Sequence, residues 1–125
     1  MTNTSLLDKI LELNPGITNL HLIRPSQKIK IPAISERSLI LLSSDSTFKI
    51  HLGTFQQAGY ANLYRGEPAL KGKLIQVIPK KVSPAETWYR TIVGTFIDED
   101  ECLRVIAILK EKGLLPIFSD AGKKG

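Results

Sequence analysis

Between Thr47 and Leu52 apolar and polar side chains alternate, with Phe48, Ile50 and Leu52 on one side and Thr47, Lys49 and His51 on the other. A period of two marks a strand with one face buried and one wet. The alternation returns at 88–93, where Tyr89, Thr91 and Val93 oppose Trp88, Arg90 and Ile92. Each run leads into Gly-Thr-Phe, first at Gly53 and again 41 residues later at Gly94. Past each Phe the echo continues, with Ala61 matching Cys102 and Gly72 matching Gly113, and an apolar run follows each of those glycines (Leu74–Ile78, Leu114–Phe118).

Each half therefore predicts a strand, a Gly-Thr-Phe turn, a helix, a glycine stop and a second strand. The expected strands are 47–53, 74–79, 87–93 and 114–118, and the expected helices 56–65 and 98–112. The second helix is the clearer one. Cys102, Val105, Ile106 and Leu109 form its apolar stripe, Asp98 to Glu101 suit the positive end of its dipole, and Lys110 and Lys112 suit the negative end. Gly66 and Pro68 should end the first helix early. Two such units in tandem share one sheet, giving an α+β, ferredoxin-like or RNP-like β-α-β-β-α-β fold: a four-stranded antiparallel sheet with two helices on one face. The other face is left free for binding, and it carries Lys49, His51, Trp88 and Arg90.

Upstream, the pattern changes. Ser5 caps an expected helix to Leu13, with Leu6, Leu7, Ile10 and Leu13 on one stripe and Asn14-Pro15-Gly16 ending it. A short alternating strand is expected at 27–31, before Pro32. One helix and one strand bury too little to fold alone, so this section either packs on the main domain or moves freely. The serine-rich stretch 33–46 reads as a linker, except that Leu39–Leu42 is too apolar to stay solvated and should dock somewhere. The chain thus divides into 1–32, a linker 33–46, a main domain 47–119 and a disordered tail 120–125.

Composition narrows the chemistry. A hydrophobic content of 42% excludes global disorder, and a net charge of +5 favours anionic surroundings without requiring nucleic acid. Cys102 is the only cysteine, which excludes an internal disulfide and a cysteine metal site; on the buried stripe it is a small hydrophobe. No apolar run approaches the ~20 residues of a membrane span, and the start lacks a signal peptide's regions. Any targeting segment or membrane attachment is expected to lie in a longer parent chain. His51 has no cysteine or carboxylate at ligand spacing, and no nucleophile–base pair or paired carboxylates stand out. Neither a catalytic site nor a metal or other cofactor is expected.

The segments from Phe48 to Phe55 and Trp88 to Phe96, with Ala61, Gly72, Cys102, Leu109 and Gly113, resemble a SPOR domain over about 47–119. His51, Thr54, Thr95 and Cys102 depart from that family's usual glutamine, serine, proline and alanine, and Pro68 stands where it places a helix leucine. The resemblance implies a peptidoglycan-binding module that prefers glycan strands stripped of their peptides and works at the division septum, in the periplasm or cell envelope, as a monomer. The section from Leu11 to Asn19 and Leu22 to Pro32 resembles the second half of a LysM motif, a glycan-binding family whose first strand and helix are absent here.

The resemblance points to His51, Thr54, Trp88, Arg90 and Phe118 as glycan-binding residues. Aromatic rings of Trp88 and Phe118 suit sugar C–H faces, while Arg90 and His51 donate to hydroxyls, acetyl oxygens or lactyl carboxylates. The plainer readings are that Trp88 caps a core edge and Arg90 makes a surface ion pair. Lys80 and Lys81, expected in a loop, either steer an anionic glycan or are merely solvated. RNA binding is the rival class, since RNA-recognition motifs share this topology, but 87–93 lacks their aromatic spacing, so no nucleic-acid partner is expected. A protein-interaction module is the third possibility.

Overall fold

The computed structural model describes residues 4–19, 30 and 33–118. Its elements are α1 (Thr4–Leu13), β1 (Ile40–Leu42), β2 (Phe48–Phe55), β3 (Leu74–Ser83), β4 (Glu86–Phe96) and α2 (Glu99–Glu111), with short 3-10 helices between them. The strands form one antiparallel sheet in the order β1-β2-β4-β3. The architecture is thus the expected α+β type, a four-stranded antiparallel sheet with helices packed on it.

The alternation does what its period requires. Ile50 and Leu52 from β2 and Val93 from β4 point into the main core, where they meet Cys102, Val105, Ile106 and Leu109 of α2. Asp98 caps α2, accepting the Glu101 N–H at 2.7 Å. The expected first helix is a 3-10 helix, Ala58–Tyr64, whose Tyr64 joins the same core and donates its hydroxyl to the Leu114 carbonyl at 2.8 Å.

Two expectations are corrected here. The Gly-Thr-Phe segments are not turns, because β2 and β4 run through them to Phe55 and Phe96. Their glycines serve close packing instead: a Cβ at Gly53 would lie 2.9 Å from the Pro116 ring, and one at Gly94 would lie 2.6 Å from Lys49 Cγ. Lys80 and Lys81 lie inside β3, not in a loop.

The fourth strand is also different. Residues 114–118 form no strand; Pro116–Phe118 is a 3-10 helix. Pro116 has no N–H to give a ladder and a fixed φ, which weighs against a strand through this apolar run. Its place is taken by Ile40–Leu42 from the stretch read as a linker, which pairs with Phe48–Ile50. The apolar run expected to dock somewhere thus docks on the sheet edge, with Leu39 buried in the core.

Candidate functional site

β1 is only three residues long, so among the described residues β2 beyond Ile50 has no strand on its outer side. An unpaired edge exposes N–H and C=O groups that need partners. The start of α1 supplies them. Ser5 Oγ accepts the Thr54 N–H at 2.9 Å, and the Thr4 hydroxyl donates to the Thr54 carbonyl at 2.5 Å. From this anchor α1 runs across the sheet face opposite α2, the face expected to be open.

The residues of α1 that it buries are Ser5, Asp8, Lys9 and Leu11, not the leucine stripe read from the sequence; Leu13 is exposed. The reason is the surface it meets, which is polar at its centre. Asp8 is 0% exposed. Arg90 grips its carboxylate with both arms, donating Nε–H to Oδ2 at 2.9 Å and Nη2–H to Oδ1 at 2.8 Å. Lys80 donates to Oδ1, and the Thr54 hydroxyl donates to Oδ2. Arg90 also reaches Glu12 at 3.3 Å. Burial alone would raise the Asp8 pKa, but the bonds from Arg90, Lys80 and Thr54 outweigh it and hold the carboxyl well below the usual range.

His51 completes the set. Its Nε2 lies 2.8 Å from Thr54 Oγ1 and 3.8 Å from Asp8 Oδ2. Thr54 spends its proton on Asp8, so His51 Nε2 carries the hydrogen and Nδ1 is the bare nitrogen. Nδ1 is buried with no hydrogen-bond partner among the described residues. Burial, reinforced by the charges of Lys9, Arg90 and Lys80 and opposed by Asp8, pushes the His51 pKa down to about 3.

That shift has a consequence for stability. An unfolded histidine titrates near 6.5. Folding stability is therefore complete above pH 6.5 and falls as the pH drops toward 3, because only the unfolded chain takes up this proton. Asp8, also depressed, adds its own loss only below the ordinary carboxylate range. Stability at pH 5 is expected to lie about 2 kcal/mol below that at pH 7. In His51→Gln most of that difference should vanish, which urea unfolding at the two pH values would read. An equal pH dependence in both proteins would mean that His51 is not held neutral.

Beside the polar centre lies a small apolar cluster. Trp88, 2% exposed, packs with Leu11 and Val82, flanked by Leu7 and Ile17, and its Nε1–H donates to Glu86 at 2.8 Å. Asn14 at the end of α1 bonds residue 30 in both directions, its Nδ2 to the Lys30 carbonyl at 3.0 Å and its Oδ1 from the Lys30 N–H at 2.8 Å.

Four of the five expected site residues, His51, Thr54, Trp88 and Arg90, thus share one face: alternation places His51, Trp88 and Arg90 there, and a bulge between His51 and Gly53 brings Thr54 to the same side. That face is not open. α1 covers it, and Trp88 and Arg90 do not face water as expected. The fifth, Phe118, lies apart from them, packed against the main core with the Lys110 ammonium 4.7 Å from its ring centroid. The sequence reading missed Asp8 and Ser5 and left Lys80 in a loop. A lone acid between Leu6-Leu7 and Ile10-Leu11 was the available signal. The strand expected at 27–31 and the tail 120–125 fall outside the described residues, apart from residue 30.

Residues 44–119 match the model of the SPOR domain family. The chain belongs to that family. No curated protein and no solved structure is similar enough to count as a match. SPOR domains are peptidoglycan-binding modules of division proteins in the periplasm and cell envelope, and the family is a binding one, not a catalytic one. Among the described residues of this SPOR chain no helix is long and apolar enough to cross a membrane.

Proposed function

We propose that this SPOR chain is a non-catalytic module that binds peptide-stripped glycan strands of peptidoglycan through the β2–β4 face. The observation that carries the reading is the family match over 44–119 together with a donor set on that face that converges on one carboxylate. Amidase cleavage of peptidoglycan leaves a free carboxylate on each stripped lactyl group. Arg90 and Lys80 suit that anion with charge-assisted bonds, and Thr54 and His51 add neutral donors. Trp88 beside them supplies a flat apolar surface for a sugar ring once uncovered. Phe118, lying apart from these residues, is not part of the proposed surface. The LysM-like section acts as the source of α1, not as a second sugar site. The parent protein would carry the module to the envelope by a segment of its own.

Co-sedimentation of the whole chain with purified sacculi, before and after amidase treatment, tests this. Saturable binding that rises after amidase treatment, with no binding to RNA, is the expected result. Equal binding to untreated and treated sacculi would remove the preference for stripped strands, and binding to neither would remove the function.

A further inference from the structure

We propose that Asp8 is a built-in stand-in for the ligand carboxylate, and that α1 is a displaceable cover over a carboxylate-binding cradle made by Arg90, Lys80, Thr54 and His51. As to which ligand displaces it, this inference rests on the proposed glycan function.

The cradle is an anion site by its own chemistry. Five side chains gather at one point, and four of them belong to the sheet: a bidentate guanidinium, an ammonium and a hydroxyl that donate to the centre, and a neutral imidazole that donates to the hydroxyl. Without Asp8 this set has no anion of its own at its centre; Glu12, half exposed, touches only the outer Nη1 of Arg90. The anion comes from outside the matched domain, since residues 44–119 contain every donor and Asp8 lies upstream. The donors are thus built into the sheet, and the acceptor is brought by a ten-residue helix.

That helix is a suitable cover. Ten residues are too few for a helix to persist alone in water, so α1 exists through its contacts. Its central contact is an ion pair that a second carboxylate can replace bond for bond, and its apolar contact, Leu11 on Trp88, is one that a sugar ring can replace. The Nδ1 of His51, buried with no hydrogen-bond partner among the described residues, marks a place where the covered cradle is incompletely satisfied. A hydroxyl of a bound sugar would donate to it. Binding then competes with closure, and the apparent affinity is the intrinsic one multiplied by the fraction of uncovered molecules.

The test uses the whole chain as wild type, Asp8→Ala, Asp8→Asn and Asp8→Ala/Arg90→Ala. The probes are N-acetylmuramic acid, which carries the lactyl carboxylate, N-acetylglucosamine, which lacks it, and amidase-treated sacculi. Asp8→Ala is expected to bind N-acetylmuramic acid at least tenfold more tightly than wild type, with no gain for N-acetylglucosamine. The added Arg90→Ala should abolish the gain, and the sacculi should follow the same order. Asp8→Asn keeps the side-chain volume and the Thr54 bond, and it decides the matter where Asp8→Ala is unfolded by circular dichroism. In the wild type, saturating N-acetylmuramic acid should speed amide hydrogen exchange along α1.

Equal affinity of wild type and both Asp8 variants for N-acetylmuramic acid, or unchanged α1 exchange at saturation, overturns the cover. If sacculi still bind in that case, the glycan function stands without it. A gain for N-acetylmuramic acid without binding of any protein to sacculi supports the cradle and overturns the glycan function instead.

Discussion

Trp88→Ala is expected to destabilise the protein by about 3–5 kcal/mol, the range for removing a large aromatic from a closed site. The indole is 2% exposed and lies between Val82 of the sheet and Leu11 of α1, so truncation opens a cavity with walls from two elements. It also frees the Glu86 carboxylate from its indole donor. The sequence alone suggests the opposite, a solvent-facing ring whose loss costs little. Urea unfolding at pH 7 decides between them, and a loss below about 1 kcal/mol would mean that α1 does not rest on Trp88 in solution. Since the same ring belongs to the proposed glycan surface, sacculus binding by this variant is informative only at a temperature where it remains folded.

The second large effect is expected at Arg90. Arg90→Ala removes two of the four hydrogen bonds to a fully buried carboxylate, leaving Lys80 and Thr54 to hold it. Breaking a buried pair by deleting one partner costs about 3–5 kcal/mol, because the remaining charge stays out of water. Removing the charge as well should return part of that loss, so Asp8→Ala/Arg90→Ala should be less destabilised than the sum of its single variants. A coupling of at least about 1 kcal/mol in this double-mutant cycle is the expected outcome. Strict additivity would mean that Asp8 and Arg90 do not meet in solution. The coupling should change little between low and high salt, since a buried pair is poorly screened.

How far the site could be read in advance depended on the kind of contact. His51, Trp88 and Arg90 share a face because strand side chains alternate, and alternation is written in the residues themselves; Thr54 joins them through a bulge between His51 and Gly53, which is not. Phe118 was assigned to that face only by supposing a strand through Pro116, where the chain forms a 3-10 helix instead. Asp8 was invisible for another reason. A charge on a short helix is ordinarily solvated, and only the matching donors 46 to 82 residues away make burying it favourable.

What the sequence determined by itself is therefore local and periodic: the half-buried strands, the α2 stripe with its cap, and the antiparallel α+β architecture with α2 on one face. What only the tertiary structure decided is which segment closes each edge and covers each face. β1 rather than 114–118 completes the sheet: Ile40–Leu42 pairs with Phe48–Ile50, while Pro116–Phe118 coils as a 3-10 helix packed on the core. α1 covers the second face because the unpaired edge at Thr54 and the donors Arg90 and Lys80 find partners in Ser5 and Asp8. Such pairings join residues far apart in the chain through complementary hydrogen bonds and charge. Hydrophobic periodicity carries no record of them, since it reports which face of an element is apolar and not what will come to rest on it.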